Sequence, residues 1–293
     1  MKQVPAFLTA LFLCLAPAHA EVVVDDAKSL EKAVRMAGSG ETIRVAPGRY
    51  DLTDLKIPRN MTIVGEGNVV FFSSQPVEKG ILNPLWVSTF RVENIKFEGA
   101  RSPDLNGAGI RHDGEHLTVI NCIFENNEDG ILATGQEHGE IIILNSMFVG
   151  NGYGDGYSHG IYVAEGASLE IQNTAFIGTK IGHHVKSLAG RTIISNSSFD
   201  DADGKTSYAV DASRGGAVAI TSSSFIQAED ADNSTLFNYD LTRGGEAVSL
   251  EISGNRIVNR NRNGRLLRND SPLTPVISNN EIINEGRGRM IAQ

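Results

Sequence analysis

Residues 119–124 read Val-Ile-Asn-Cys-Ile-Phe, and their spacing of aliphatic, asparagine and phenylalanine positions returns along the chain. The other copies are Val92-Asn94-Phe97, Ile143-Asn145-Phe148, Ile171-Asn173-Phe176 and Ile194-Asn196-Phe199, followed by the weaker Ile220-Ser222-Phe225, Ile252-Gly254-Ile257 and Ile277-Asn279-Ile282. Successive copies lie between 23 residues (Phe176 to Phe199) and 32 residues (Phe225 to Ile257) apart. A period in the twenties is typical of a solenoid.

Each repeat has the pattern of a strand. The residue two before the aliphatic position is usually apolar too, at Phe90, Leu117, Ile141, Leu169, Val218 and Leu250. This period of two indicates a strand with one buried row of side chains. Asparagine tolerates the left-handed backbone of a turn and can form a ladder with its copies. The sequence therefore predicts an all-β protein, a right-handed parallel β-helix, in which the asparagines and phenylalanines are structural.

A second strand is predicted after each phenylalanine, at 109–112, 130–133, 160–163, 183–186, 208–211 and 236–240. The connections between strands vary in length, and the longer ones include 150–158 and 228–234. Insertions of this kind often build the binding face of a solenoid.

Both ends of such a coil need a cap. A short N-terminal capping helix is predicted between Asp26, as its N-cap, and Gly38, with Leu30, Val34 and neighbouring alanines on one face. Arginines accumulate at the other end, at Arg256, Arg260, Arg262, Arg265, Arg268, Arg287 and Arg289. They indicate either a solvated end that blocks edge pairing or a basic docking patch for an acidic glycan.

The first twenty residues have the pattern of a signal peptide, with Lys2, an apolar run at 7–15 and the small-residue site Ala18-His19-Ala20. We expect an exported protein, periplasmic or secreted, with residues 21–293 as one domain and no membrane span. The formal net charge of −9 disfavours a nucleic-acid partner. Cys122 is the one cysteine left after cleavage, so no intrachain disulfide is expected, and we expect a monomer.

The stretch from Leu30 through Ala33, Ala37-Gly38, Gly40-Glu41-Thr42-Ile43, Val45 and Pro47-Gly48 to Tyr50 resembles the entry segment of the pectate-lyase-like superfamily of right-handed β-helix proteins. The resemblance covers the architecture of the whole mature chain. It implies a carbohydrate-active protein, because many members are polysaccharide lyases, uronate epimerases or glycoside hydrolases. The motif of the periplasmic mannuronan epimerases is absent, since Arg111-His112-Asp113 lacks its proline.

Stacking the second strands predicts where chemistry could lie. In this alignment Ile161, His183 and Tyr208 share a column, Tyr162 lies beside His184, and Lys186 lies beside Asp211 and Asp240. Adjacent rungs are about 4.8 Å apart, so His183, His184, Lys186, Tyr208 and Asp211 would gather within two rungs. Arg191 and Arg214 follow shortly after, and His159 lies further toward the N-terminus.

These residue types suit β-elimination on an acidic, uronate-containing polysaccharide. In this hypothesis Lys186 or His184 is the base, Arg191 or Arg214 neutralises the uronate carboxylate, and Tyr208 or His183 is the acid. His159, Tyr162, Arg214 and Asp240 would help to bind the substrate. A hydrolase would need two carboxylates, for which Asp211 and Asp240 are candidates at about 10 Å, a wide separation.

Structural interpretations remain open beside this one. Lys186 and Asp211 could form a simple ion pair, and His183 and Tyr208 could be core residues with bonded polar ends. No cofactor or metal is assigned, but the acidic runs 200–203 and 229–232 leave Ca²⁺ open. The alternative function is that of a non-catalytic glycan-binding or envelope protein, which could use Tyr153, Tyr157 and Tyr162.

Overall fold

The computed structural model describes residues 22–290, which form one continuous right-handed parallel β-helix of about nine turns. Each turn passes through three parallel sheets, which we call sheets A, B and C in the order in which the chain visits them. No helix among the described residues is long and apolar enough to cross a bilayer. The predicted signal peptide, residues 1–20, lies outside the described residues.

The strands of the three sheets follow each other regularly along the chain. Sheet A contains Val22–Val24, Glu41–Val45, Met61–Gly65, Thr89–Glu93, His116–Ile120, Glu140–Leu144, Ser168–Gln172, Arg191–Ser195, Gly216–Thr221, Ala247–Ser253 and Val276–Ser278. Sheet B contains Gly48–Asp51, Val69–Phe72, Lys96–Glu98, Ile123–Glu125, Met147–Val149, Ala175–Ile177, Ser198–Asp200, Ser224–Gln227, Arg256–Asn259 and Glu281–Asn284. Sheet C contains Leu55–Ile57, Gly80–Pro84, Ala108–His112, Asp129–Ala133, Ile161–Val163, Val185–Ser187, Val210–Ala212, Thr235–Tyr239 and Arg265–Asn269.

The repeat predicted from the sequence sets the register of the stack. Its phenylalanines are paired from rung to rung and stack face to face inside the coil, with centroids 4.7–4.9 Å apart from Phe97 to Phe225. The aliphatic positions pair in the same way along sheet A. The predicted fold class is therefore confirmed.

The repeat asparagines form the tight corner between sheets A and B. All six of them have left-handed backbone, with φ between 48° at Asn196 and 58° at Asn94. Asn121 Nδ2 donates to Asn94 Oδ1 over 2.7 Å, and Asn173 Nδ2 donates to Asn145 Oδ1 over 3.2 Å. The asparagine type is explained by its tolerance of this backbone and by its ability to bond its neighbour in the stack.

A second ladder lies just inside this corner and was not predicted. The hydroxyls of Ser146, Thr174, Ser197 and Ser223 each accept the backbone N–H of the residue one rung earlier, at 3.1–3.3 Å. The chain turns at this point, so these buried N–H groups would otherwise lack a partner.

The N-terminal cap agrees with the prediction. The helix Ala27–Met36 begins at Asp26, whose carboxylate accepts the N–H of Ser29, and Leu30 and Val34 are buried against the first rung. The helix ends at Met36, and Ala37 is its C-cap, one residue before the predicted Gly38.

The arginines at the C-terminal end are largely paired. Arg256 contacts Glu281 at 3.0 Å and Arg260 contacts Glu285 at 3.1 Å, both between the last two rungs of sheet B. Arg268 and Arg262 also contact carboxylates. This arrangement is that of a solvated end, and it leaves less free positive charge for the docking patch considered above.

The phenylalanine stack should dominate the stability of the coil. We expect Phe148→Ala, in the middle of the stack, to lower the free energy of unfolding by about 3–5 kcal/mol, because it removes a fully buried ring between two others. The matched control Phe72→Ala removes a half-buried ring on the outer face and should cost about 1–2 kcal/mol. Urea unfolding followed by circular dichroism measures both, and equal losses would contradict this role.

Candidate functional site

The outward face of sheet C carries one column of functional side chains. Strand pairing aligns Tyr162 with Lys186, Lys186 with Asp211, Asp211 with Asn238 and Asn238 with Arg268. The residues that alternate with them, Ile161, Val185, Val210 and Phe237, are buried inside the coil.

This register corrects part of the predicted alignment. The strands begin at Val185 and Val210, two residues later than predicted, so Tyr162 lies beside Lys186 instead of His184, and Asp211 lies beside Asn238 instead of Asp240. Because the shift is an even number of residues, it leaves Lys186 and Asp211 on the outer face.

Lys186 lies at the centre of this face. Its Nζ is 3.8 Å from Asp211 Oδ2 and 5.4 Å from the centroid of the Tyr162 ring. The Asp211 carboxylate also contacts His183 Nε2 at 3.6 Å and accepts hydrogen bonds from Ser213 and from Asn238 Nδ2. Burial raises the pKa of Asp211, while the Asn238 hydrogen bond and the charge of Lys186 act in the opposite direction.

Two histidines have a structural task at the edge of this face. Asp129 Oδ1 accepts the backbone N–H of His159 at 2.7 Å, His159 Nδ1 accepts that of His183 at 3.0 Å, and His183 Nδ1 accepts that of Tyr208 at 3.2 Å. The two imidazole rings are stacked 4.8 Å apart. Since each Nδ1 is an acceptor, each ring is neutral and carries its proton on Nε2.

Burial supports the same protonation state. It lowers the pKa of His183 to about 3, and the positive charge of Lys186 acts in the same direction. Burial also lowers the pKa of His159 well below its usual value. Both imidazoles can donate a hydrogen bond through Nε2, but near neutral pH neither is a source of protons.

Three residues that were predicted for the site lie elsewhere. His184 is fully buried, with Nδ1 2.8 Å from Thr179 Oγ1 and Nε2 3.2 Å from Asp201 Oδ1. It lies where the chain bends into sheet C, so its side chain points inward and cannot reach a polymer as the proposed base.

The two arginines expected to bind the uronate carboxylate are also displaced. Arg191 begins a strand of sheet A, and Arg214 lies beyond the end of a sheet C strand, where it contacts Glu165 at 3.6 Å. The repeat alignment included neither arginine. They were assigned to the site because they follow Lys186 and Asp211 closely in the sequence, and this proximity did not predict their position.

The structure adds cationic and amide groups that the sequence analysis missed. Asn238 and Arg268 continue the Lys186 column, and the Tyr208 hydroxyl is close enough to the Arg268 guanidinium to raise the pKa of that arginine. Arg243 is close enough to Tyr162 for its charge to oppose the rise in the pKa of that phenol caused by burial. The alternation of the apolar Phe237 with the polar Asn238 could have placed Asn238 on the outer face. Arg243 lies in a loop, where no such alternation exists.

Asp240 belongs to the same network but cannot serve a hydrolase with Asp211. A single amide nitrogen, Asn238 Nδ2, lies 2.7 Å from Asp211 Oδ1 and 2.8 Å from Asp240 Oδ2. The two carboxylates are thus much closer than the predicted 10 Å, and both are buried. With Asn238 between them, no sugar ring can lie between the two carboxylates.

Across residues 22–290, no three His, Cys, Asp or Glu side chains converge as a metal site would require. In the two acidic runs, Asp201 is committed to His184 and Asp230 contacts Lys205 at 3.5 Å.

The comparisons place the fold in a known class. Residues 155–293 match the family described as "Right handed beta helix region", and the three-sheet stack is the pectate-lyase-like form of that fold. No curated protein sequence matches the chain.

The solved structures that are similar to it include two alginate lyases. The alginate lyase from Paenibacillus sp. str. FPU-7 has a TM-score of 0.69 and 16% identity, over 93% of this chain and 97% of that one. The PL6 family alginate lyase AlyGC has a TM-score of 0.60 and 16% identity, over 90% of this chain and 39% of that one. At such identities the likeness establishes the shared fold.

The neutral histidines should make the protein sensitive to acid. The unfolded state takes up a proton on each histidine as the pH falls below about 6.5, while native His183, with its pKa of about 3, does not. The contribution of neutral His183 to the free energy of unfolding is therefore fully present above pH 6.5. Between pH 6 and 4 it falls by up to about 1.4 kcal/mol per pH unit.

Urea unfolding at several pH values tests this expectation. The glutamine in His183→Gln can still accept the Tyr208 N–H but does not titrate. Between pH 6 and 4 this variant should therefore lose up to about 1.4 kcal/mol per pH unit from the slope of the unfolding free energy, which corresponds to one proton. The control His138→Gln, at an exposed position, should leave the slope unchanged. Equal slopes in all three proteins would contradict the neutral assignment.

Proposed function

We propose that this protein is a polysaccharide lyase that cleaves an acidic, uronate-containing polysaccharide by β-elimination on the outer face of sheet C. The observation that carries the proposal is Lys186, held at the centre of that face between Tyr162 on one rung and Asp211 on the next. Two similar structures of this fold are alginate lyases, which supports a uronate polymer as the substrate. We also propose that residues 1–20 direct export of the protein to a compartment in which it meets such a polymer.

In the proposed reaction Lys186 Nζ takes the C5 proton of the uronate. The electron pair forms the C4–C5 double bond, and the C4–O glycosidic bond breaks. The Tyr208 hydroxyl donates its proton to the leaving oxygen, and the adjacent Arg268 guanidinium stabilises the charge that develops on the phenol. His183 is neutral, so it orients the substrate through Nε2–H and acts neither as the base in place of Lys186 nor as the acid in place of Tyr208.

The C5 proton becomes acidic enough only if the uronate carboxylate is neutralised. Arg243 takes this role in the proposal, in place of Arg191 and Arg214, because its charge reaches Tyr162 at the centre of the face. Asn238 holds Asp211 and Asp240 together, which keeps two carboxylates away from the bound polymer.

One contact favours a second candidate, a glycan-binding protein without catalysis. The ammonium of Lys186 lies 3.8 Å from the Asp211 carboxylate. An ion-paired ammonium binds uronate carboxylates but must lose its proton before it acts as a base.

Removing the Lys186 amine separates the two candidates. We expect Lys186→Ala and Lys186→Arg to lower the rate of double-bond formation by about 10²–10⁴-fold, since neither side chain replaces the base. The assay follows the absorbance of unsaturated uronate ends with alginate, pectate, hyaluronan and chondroitin, each with and without Ca²⁺. The control Lys205→Ala, a lysine exposed beside Asp230, should keep full activity.

Wild-type protein that binds one of these polymers but forms no unsaturated ends would support the glycan-binding candidate. An active Lys186→Ala variant would overturn the assignment of the base.

Arg243 should act mainly through substrate binding. We expect Arg243→Ala to raise KM by about tenfold, because one charge-assisted contact to the uronate is lost. Steady-state kinetics on the preferred polymer gives kcat and KM separately. Arg262→Ala is the matched control, since this arginine is exposed and contacts Glu229 away from sheet C. An unchanged KM for Arg243→Ala would remove Arg243 from the site.

A further inference from the structure

Trp86, the one tryptophan of the chain, has an unusual position. It follows the sheet C strand Gly80–Pro84, and the residue is 81% exposed. Its φ is 55°, a left-handed backbone that is unfavourable for a bulky residue. Left-handed backbone at such a residue costs stability, and residues strained in this way are concentrated at functional positions.

The indole borders a recess of about 380 Å³. The recess is lined by Ser88, Glu115, Gln136, Glu137 and His138, and Gly114 forms part of its floor. A Cβ at Gly114 would lie 2.7 Å from the Val87 carbonyl oxygen, so the close approach of two rungs requires glycine here.

The polar side chains of the recess are available to a ligand. Within residues 22–290, Ser88, Gln136, Glu137 and His138 make no side-chain hydrogen bond or ion pair, and the Trp86 ring stacks on no other ring. Glu115 lies 3.7 Å from His116 Nε2 and keeps its other oxygen free for a hydrogen bond.

We propose that this recess is a second carbohydrate site, which binds a neutral pyranose stacked on Trp86. The negative π-face of an indole attracts the polarised C–H groups of a sugar ring. The carboxylates of Glu115 and Glu137 accept hydrogen bonds from hydroxyl groups but repel a uronate carboxylate. The negative charge of the recess therefore favours a neutral sugar over an acidic one. This proposal does not depend on the proposed lyase activity.

The site is separate from the Lys186 face. On sheet C the Lys186 strand lies four steps along the stack from the strand Gly80–Pro84 that precedes Trp86, which is about 19 Å along the axis. A polymer with neutral and acidic segments could therefore contact both.

Tryptophan fluorescence reports this site directly, because Trp86 is the one tryptophan present. We expect a saturable change with hexasaccharides of β-1,4-linked glucose, mannose or xylose, and none with a guluronate or mannuronate hexasaccharide. Lys186→Ala should give the same titration curve as the wild type, so that the outcome is independent of the lyase assay. No saturable change with any neutral hexasaccharide, or a stronger response to the uronates, would overturn the proposal.

Calorimetry on variants distinguishes binding from a structural role. Trp86→Asn, a residue that tolerates left-handed backbone, should lower the affinity for the neutral hexasaccharide at least tenfold and keep or raise Tm. Tyr157→Ala, which removes another largely exposed aromatic ring, should change neither. A lower Tm with unchanged affinity would show that Trp86 serves the fold and would overturn the site.

Discussion

The hydrogen-bonded register between successive rungs is the constraint on which the rest of this protein depends. Parallel pairing in three sheets holds each rung against the next, and a left-handed corner recurs at the same position of successive repeats, with Ser222 and Gly254 in place of asparagine in two of them. A slip of one residue would exchange the buried and outer faces of a strand. The phenylalanine stack inside the coil and the Lys186 column outside it are therefore two results of one register.

The same constraint decides what the polar residues do. Wherever the chain turns between sheets, backbone N–H groups leave the regular pairing and must find another partner. Serine and threonine hydroxyls serve this need at the A–B corner, and Asp129, His159 and His183 serve it at the entry to sheet C. Histidines that look catalytic in the sequence are thus fixed in a neutral form, which leaves lysine and tyrosine as the groups able to move protons.

Charge divides the outer surface of the solenoid into two chemically different regions. The chain has a formal net charge of −9, yet Lys186, Arg243 and Arg268 are gathered at the proposed lyase site. Lys186 and Arg268 each contact a carboxylate, of Asp211 and of Asp270, so a bound polyanion would compete with these two ion pairs. Toward the N-terminus, Glu115 and Glu137 surround Trp86 with the opposite charge. One solenoid can therefore present sites for two kinds of sugar at a spacing set by the number of rungs.

The sequence by itself determined the architecture, because the repeat states both its period and its corner residue. It also predicted the helix cap at Asp26, from a local pattern, and the neighbourhood of Lys186 with Asp211, from the alignment of adjacent repeats. Only the tertiary structure decided that His184 points inward, that Arg191 and Arg214 leave the face, and that Asn238, Arg243 and Arg268 join it. The physical reason is that each strand begins at the first residue that can form hydrogen bonds to the neighbouring rung. Because the loops before the strands differ in length, the sequence does not show which residue this is. A shift of two residues between neighbouring strands keeps each side chain on its face but changes its partner on the next rung, as where Tyr162 lies beside Lys186 instead of His184.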